Sequence, residues 1–281
     1  MRGQIRGLRM AALALVFALI GAHAEAEAKD SAQSALRPPS SALVSGGSAI
    51  VKSVIDGDTI ILDREISGSR EVRLVGLQAP KLPLGRDGFR EWPLAKEAKA
   101  ALEALVRGRR VELGFGGTRM DRHKRHLAHL TRDDGVWIQG AMLEAGMARV
   151  YSFADNRARV ADMLARERAA RQAGRGIWSN AYYAIRTPGT VAKYVNSFEL
   201  VEGTVLDAAV VSGRAYLNFG ENWRTDFTVT IAARALRQFK LEGLGPDSYK
   251  GRRIRVRGWL QSRDGPMIEA THPDQIEVLD P

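Results

Sequence analysis

Two β-branched runs, Ile50 to Ile55 and Thr59 to Leu62, meet at Asp56-Gly57-Asp58, and this junction restricts the fold more than any other stretch of the chain. Val, Ile and Thr are stiff at χ1 and fit a pleated sheet, whereas an Asp-Gly step fits a tight reversal. The segment therefore reads as a β-hairpin with two carboxylates at its tip. Glu71 to Leu77 supplies a third strand. Ala95 to Arg107 is helical, with Ala98, Leu102 and Leu105 on one face and Gly108 as a stop. Arg109 to Phe115 and His126 to Thr131 follow as strands on either side of a Gly116-Gly117 break. Two helices complete this half: Ile138 to Ala145, ended by Gly146, and Arg157 to Ala173, ended by Gly174. Val160, Leu164 and Arg168 stack along the second helix, where Glu167 and Arg171 are ordered for an i,i+4 ion pair.

A mainly β half with a helix inserted before its last strands, an α+β arrangement, fits a small closed barrel of the OB type. Periodicity alone does not choose that barrel over another α+β fold. Residues 181–197, with Pro188-Gly189, read as a connector, and residues 198–281 as a second β-rich domain. Its strands are Leu200 to Val205, Ala215 to Phe219, Phe227 to Ile231, Ile254 to Leu260 and Met267 to Ala270, with one helix from Ala232 to Lys240. That content fits a second small β-barrel, again OB-like, or a short sandwich. No sequence repeat connects the two halves.

The first residues carry export chemistry. Arg2, Arg6 and Arg9 precede an apolar run from Met10 to Ile20 and the small residues of Ala22-His23-Ala24 or Ala24-Glu25-Ala26, so residues 1–24 read as a signal peptide. The run is shorter than the ~20 residues of a membrane span. We therefore expect cleavage, no transmembrane segment in the mature chain, and a periplasmic or secreted location. Residues 25–48, rich in Ala, Ser, Pro and Gly, read as a flexible linker. With no cysteine, the chain has neither a disulfide framework nor a thiolate zinc site. An excess of 42 Lys and Arg over 32 Asp and Glu suits an anionic partner, nucleic acid first.

The motifs occur in a telling order: Val54-Ile55-Asp56-Gly57-Asp58-Thr59-Ile60, Arg73-Leu74-Val75-Gly76-Leu77-Gln78-Ala79-Pro80, Asp121 to Ala128, and Gly176-Ile177-Trp178. Across residues 49–180 this series resembles the thermonuclease (staphylococcal nuclease-like) family. The resemblance implies an OB-fold barrel that hydrolyses phosphodiesters. In that family carboxylates hold Ca2+, two arginines bind the scissile phosphate and a glutamate acts as base. Carried over by position, Asp58 takes the first metal carboxylate, with Asp56 beside it as a second acidic group. Arg73 and Arg125 take the phosphate-binding positions, and Tyr151 stands near the family's groove tyrosines as a substrate-binding ring.

Two positions depart from the pattern. Gln78 stands where the second metal carboxylate belongs, and Lys81 replaces the catalytic glutamate after Pro80. These changes make the site about three charge units more positive, and near-contact charges interact by roughly 4 kcal/mol at an effective dielectric of about 20. Ca2+ binding is therefore weakened while anion binding is favoured. Asp87 and Glu91 are the nearby carboxylates that would have to fold back to restore a ligand or base. Two readings stay open: a metal-dependent nuclease in which Arg73, Arg125 and Lys81 act on the phosphate, and a non-catalytic module of the cell envelope that binds a polyanion or a protein. His123, His126 and His129 read as surface or groove histidines, because odd spacing along a strand separates the last two. Arg253, Arg255 and Arg257 share one strand face, as a phosphate-tracking stripe or a solvated surface.

Overall fold

The hairpin forms as its sequence dictates. In the computed structural model, which describes residues 43–279, β1 (Val44–Asp56) pairs antiparallel with β2 (Thr59–Ile66), Asp56 opposite Thr59. The expected signal peptide and the linker up to residue 42 lie outside the described residues. Gly57 is required at the tip: a Cβ there would lie 2.6 Å from the Ala79 Cβ and 2.9 Å from the Ala98 Cβ. β1 begins at Val44 rather than Ile50 because its first part pairs with β5 (Arg110–Phe115), Val44 facing Phe115 and Ser48 facing Glu112.

β3 (Ser69–Leu74) pairs antiparallel with β2 and parallel with β6 (His126–Arg132), Arg73 opposite Leu127. The ring β1-β2-β3-β6-β5 closes as a barrel. The expected strand from Glu71 to Leu77 is interrupted after Leu74. Gly76, at a φ of 83°, turns the chain out of the barrel, and β4 (Leu77–Gln78) pairs instead with β7 (Arg149–Val150). Ile60, Leu62, Val72, Leu74, Leu113 and Leu130 fill the core. Ala98, Leu102 and Val106 from α1 (Ala95–Val106) join it, as do residues of α2 (Ile138–Glu144) and α3 (Val160–Gln172).

The second half contains β8 (Phe198–Thr204), β9 (Asp207–Val211), β10 (Arg214–Asn218), β11 (Thr228–Ile231), α4 (Ala233–Leu241), β12 (Arg253–Ser262), β13 (Pro266–Glu269) and β14 (Ile276–Val278). β8 and β9 are two parts of one bent strand. At the bend Val205 donates its N–H to the Arg252 carbonyl and Leu206 to the Asn218 carbonyl, so the strand transfers from β12 to β10. The order β9-β10-β11-β13-β12 is then completed by β8 on β12, with β11 and β13 parallel. Both halves thus follow one plan: three antiparallel strands, a helix, then a hairpin whose last strand runs parallel to the third. This is the OB arrangement of the first barrel repeated without sequence similarity. Val201, Leu217, Val229, Ile231, Phe239, Ile254 and Ile268 form its core. β9 and β14 were not legible as strands, since β9 is half exposed and β14 is three residues long. No helix among the described residues is long and apolar enough to cross a membrane.

Charged side chains join the barrels. Arg257, 1% exposed, places Nη1 and Nη2 each 2.9 Å from a carboxylate oxygen of Glu167 on α3, and Nη2 also lies 2.6 Å from Glu277. Glu167 accepts the Val150 N–H at 2.6 Å and pairs with Arg171 at 2.8 Å. The i,i+4 pair read from the sequence therefore exists, on a buried helix face. Arg253 and Arg255 pair with Glu202, and Arg255 lies 3.5 Å from Glu277. Both readings left open for this face, a phosphate-tracking stripe and a solvated surface, are thereby corrected: carboxylates engage all three arginines, and Arg255 and Arg257 are buried. Arg157 pairs with Glu242 and Asp274, and the Ser152 hydroxyl lies 2.8 Å from His272 Nε2. Burial pushes the His272 imidazole down to about 4, so it is neutral at physiological pH.

Two outcomes follow from this lattice. Arg257→Met leaves buried Glu167 with Arg171 and Glu277 with Arg255 as their remaining cations and should cost up to about 3–5 kcal/mol in urea denaturation, part of it recovered when Glu167→Met is added. Burial opposes ionisation of Glu277, but Arg257 and Arg255 outweigh it and hold the carboxyl below its ordinary 4.5. A depressed acid contributes its stability above the unfolded pKa and loses it as pH falls. Stability should therefore drop below about pH 4.5, and by less in Glu277→Gln.

Candidate functional site

The carboxylate turn is held by donors converging from two segments, β3 and the stretch just after β4. Asp58 is fully buried, and its Oδ2 accepts the Ala79 N–H at 2.9 Å and lies 3.0 Å from Arg73 Nη1. Lys81 Nζ is 2.6 Å from both oxygens of Asp58 and 3.2 Å from Asp56 Oδ2. Asp56 Oδ1 in turn accepts the Asp58 N–H at 3.1 Å, which fixes the tip. Arg73 reaches this point because β3 lies beside β2, and it also donates to the carbonyls of Asp58, Leu74 and Leu77 at 3.3, 3.1 and 2.9 Å. The Lys81 carbonyl accepts the Trp92 N–H at 3.0 Å, anchoring the lysine as the chain enters the exposed loop.

The electrostatics of the pair diverge. Burial opposes ionisation of Asp58, yet Arg73, Lys81 and the Ala79 N–H together hold its carboxyl far below the usual range. Burial and then repulsion from Asp58 push Asp56 up, against the attraction of Lys81 and Arg73. Two acids and two cations therefore face one another, and the extra positive charge foreseen from Lys81 is consumed within the cluster. The anion-favouring site expected from charge counting is locally balanced instead.

The other expected positions separate into three settings. Arg125 pairs with Asp121 at 2.7 Å and lies 3.8 Å from Glu71, two residues from Arg73 on the same face of β3. Gln78 Oε1 faces Arg149, accepting from Nη2 at 2.8 Å and Nε at 3.1 Å. Arg149 is itself buried, with its guanidinium 4.7 Å from the Phe198 ring centre, and burial lowers its pKa despite the field of Glu199. Tyr151 accepts a hydrogen bond from Trp259 Nε1 at 2.9 Å and packs edge-on to Phe198 at 4.8 Å, so it lies against the second barrel. Glu91 is 3.6 Å from Lys96 and Asp87 is exposed; neither joins the cluster.

Two histidines differ from expectation. His126 and His129 are buried rather than surface or groove residues, His126 Nε2 lying 2.6 Å from the Ile66 carbonyl. Burial, then the nearby Arg159, pushes His129 down to about 4. His123 is exposed, as expected. Sequence reasoning missed Arg149 altogether. The available signal was weak: a neutral Gln78 leaves an amide oxygen for some partner, but nothing local says which.

A hard divalent cation needs about six to eight oxygen ligands. Here an ammonium group sits on both carboxylates, the Gln78 oxygen is turned to Arg149, and no cluster of three His, Cys, Asp or Glu among the described residues could hold a metal ion. The residues present do not fit Ca2+.

A five-strand barrel with a paired-carboxylate hairpin tip and an arginine on its third strand defines a nuclease-like OB domain. A family profile described as staphylococcal nuclease homologue matches residues 71–180. An uncharacterized endonuclease of Escherichia coli O157:H7 is 33% identical over 134 residues, covering 47% of this chain and 76% of that protein. The thermonuclease of Staphylococcus intermedius is 33% identical over 110 residues, 39% of this chain and 60% of its own length. The chain belongs to the staphylococcal nuclease family, through its first barrel.

The lysine contact is directly testable. Lys81→Met leaves two buried carboxylates against Arg73 alone and should cost about 3–5 kcal/mol at pH 7 in urea denaturation. Because Asp58 is depressed, its contribution is lost as pH falls, so the deficit of the variant should be smaller at pH 3 than at pH 7.

Proposed function

We propose that this is an exported nuclease-family protein that binds nucleic acid through its first barrel and does not cut it by a calcium-dependent route. The carrying observation is the Lys81 ammonium, 2.6 Å from both oxygens of Asp58 and 3.2 Å from Asp56, where a cation shared by those carboxylates would have to sit. The Lys81 ammonium meets the charge requirement of the turn in place of a metal, and an ammonium has no lone pair with which to activate water. Family membership supports nucleic acid as the partner. Residues 49–180 add to this with 24 Lys and Arg against 17 Asp and Glu, an excess that favours a polyanion. Arg73 and Arg125 would meet the phosphates, and a phosphate reaching them must compete with Asp58 and Asp121. Export rests on the arginines and apolar run of residues 1–24.

A calcium titration combined with strand binding tests this reading. Single-stranded DNA should bind with an affinity whose logarithm falls by about 0.7 per phosphate contact for each tenfold rise in salt. Adding Ca2+ should produce neither cleavage nor a heat of binding, whereas the combined change Lys81→Glu and Gln78→Asp should create calcium affinity. Calcium-dependent cleavage by the unaltered protein, lost in Lys81→Met, would overturn the proposal.

A further inference from the structure

The second barrel carries a cleft that the first barrel's chemistry does not use. It has a volume of about 500 Å³ and lies on the outer face of β9, β10, β11 and β13. Arg214 and Tyr216 of β10, Met267 of β13, Trp223 of the β10–β11 loop and Arg263 and Asp264 of the β12–β13 turn line it. In an OB fold the second and third strands, together with the first and last hairpin loops, form the surface that takes oligonucleotides or oligosaccharides. By the strand order above, β10 and β11 are the second and third strands, and the β12–β13 turn is the last hairpin loop.

Trp223 is 52% exposed and lines the cleft, so part of its indole is open to a ligand there. The Arg224 guanidinium lies 4.4 Å from its ring centre. Charge decides between the two ligand classes. A phosphate strand gains affinity from cations that it neutralises. In this cleft Arg214 is already 2.9 Å from Glu269, and the lining adds the carboxylate of Asp264 to the guanidinium of Arg263. Residues 198–281 hold 11 Lys and Arg against 12 Asp and Glu, in contrast to the basic first barrel. An uncharged ligand suits such a surface. Sugar rings present C–H groups that stack on the electron-rich face of an indole or phenol, and hydroxyls that pair with guanidinium, carboxylate and amide groups.

We infer that the cleft of the second barrel is an oligosaccharide-binding site, with Trp223 and Tyr216 as stacking rings and Arg263 and Asp264 as hydroxyl partners. The inference is independent of the nucleic-acid reading of the first barrel. Intrinsic fluorescence and calorimetric titrations of the full chain with chitohexaose, cellohexaose and maltohexaose test it, with a fifteen-residue oligothymidylate in parallel. At least one hexaose should bind and shift tryptophan emission, with little dependence on salt. Trp223→Ala, a surface change, should weaken that sugar by about tenfold or more, and Arg263→Ala should weaken it in the same direction. Oligothymidylate binding should be unaffected by either substitution. Failure of all three sugars to bind at millimolar concentration, or sugar binding indifferent to Trp223→Ala and Arg263→Ala, would overturn the inference. So would loss of oligothymidylate binding in Trp223→Ala, which would make the cleft a nucleic-acid site. Changes at Lys81 or Arg73 leave the sugar measurement untouched, so the two proposals fail separately.

Discussion

Asp58 is a fully buried carboxylate at a hairpin tip, and the first barrel is organised around neutralising it. An isolated charge in that position is untenable, so every group within reach is committed to it. Arg73 comes from the neighbouring strand, the Ala79 N–H from the segment leaving the barrel, and Lys81 from the entry to the loop. These contacts tie β2, β3 and the segment after β4 together at one end of the barrel. They also set the chemistry, because the residue that completes the neutralisation is a covalently attached cation. A metal-binding turn and a lysine-filled turn can share one backbone, and the Asp-Gly-Asp motif alone does not distinguish them.

The joint between the barrels follows the same physics in a larger lattice. Arg257 lies between Glu167 and Glu277 with almost no exposure, and Arg257 and Arg255 hold the Glu277 carboxyl below its ordinary range. Buried ion pairs of this kind contribute little net stability over apolar packing, but they punish loss of any one member. They therefore fix one docking geometry, to which Tyr151, Trp259, Ser152 and His272 add hydrogen bonds. Tyr151 is in this way coupled to the second barrel as well as to the chain that leads from the site.

Much of this was legible in the sequence, and the failures have physical causes. The first barrel could be read because β-branched alternation, an Asp-Gly turn and glycine stops are local signals, although β1 starts earlier than expected and the third strand is interrupted after Leu74. β1 extended backward because Ser45 and Ser48 gain strand partners from β5, a pairing distant in sequence. The second barrel was recognisable as β-rich, but its relation to the first depends on the bend at Val205-Leu206 and the parallel pairing of β11 with β13, neither of which has a sequence signature. Arg253, Arg255 and Arg257 show the limit for charges: alternation reveals a shared face, not what lies across from it. Gln78 and Lys81 were recognisable as departures, but their new partners, Arg149 and the paired aspartates, emerge only from the fold.

The central claim is that Lys81 holds the place of a divalent cation. Diffraction from crystals of the full chain grown in calcium addresses it most directly. The expected density shows the Lys81 ammonium between Asp56 and Asp58 with no ion bound to either carboxylate. A calcium ion ligated by Asp56 and Asp58, with the Lys81 side chain displaced, would contradict the account.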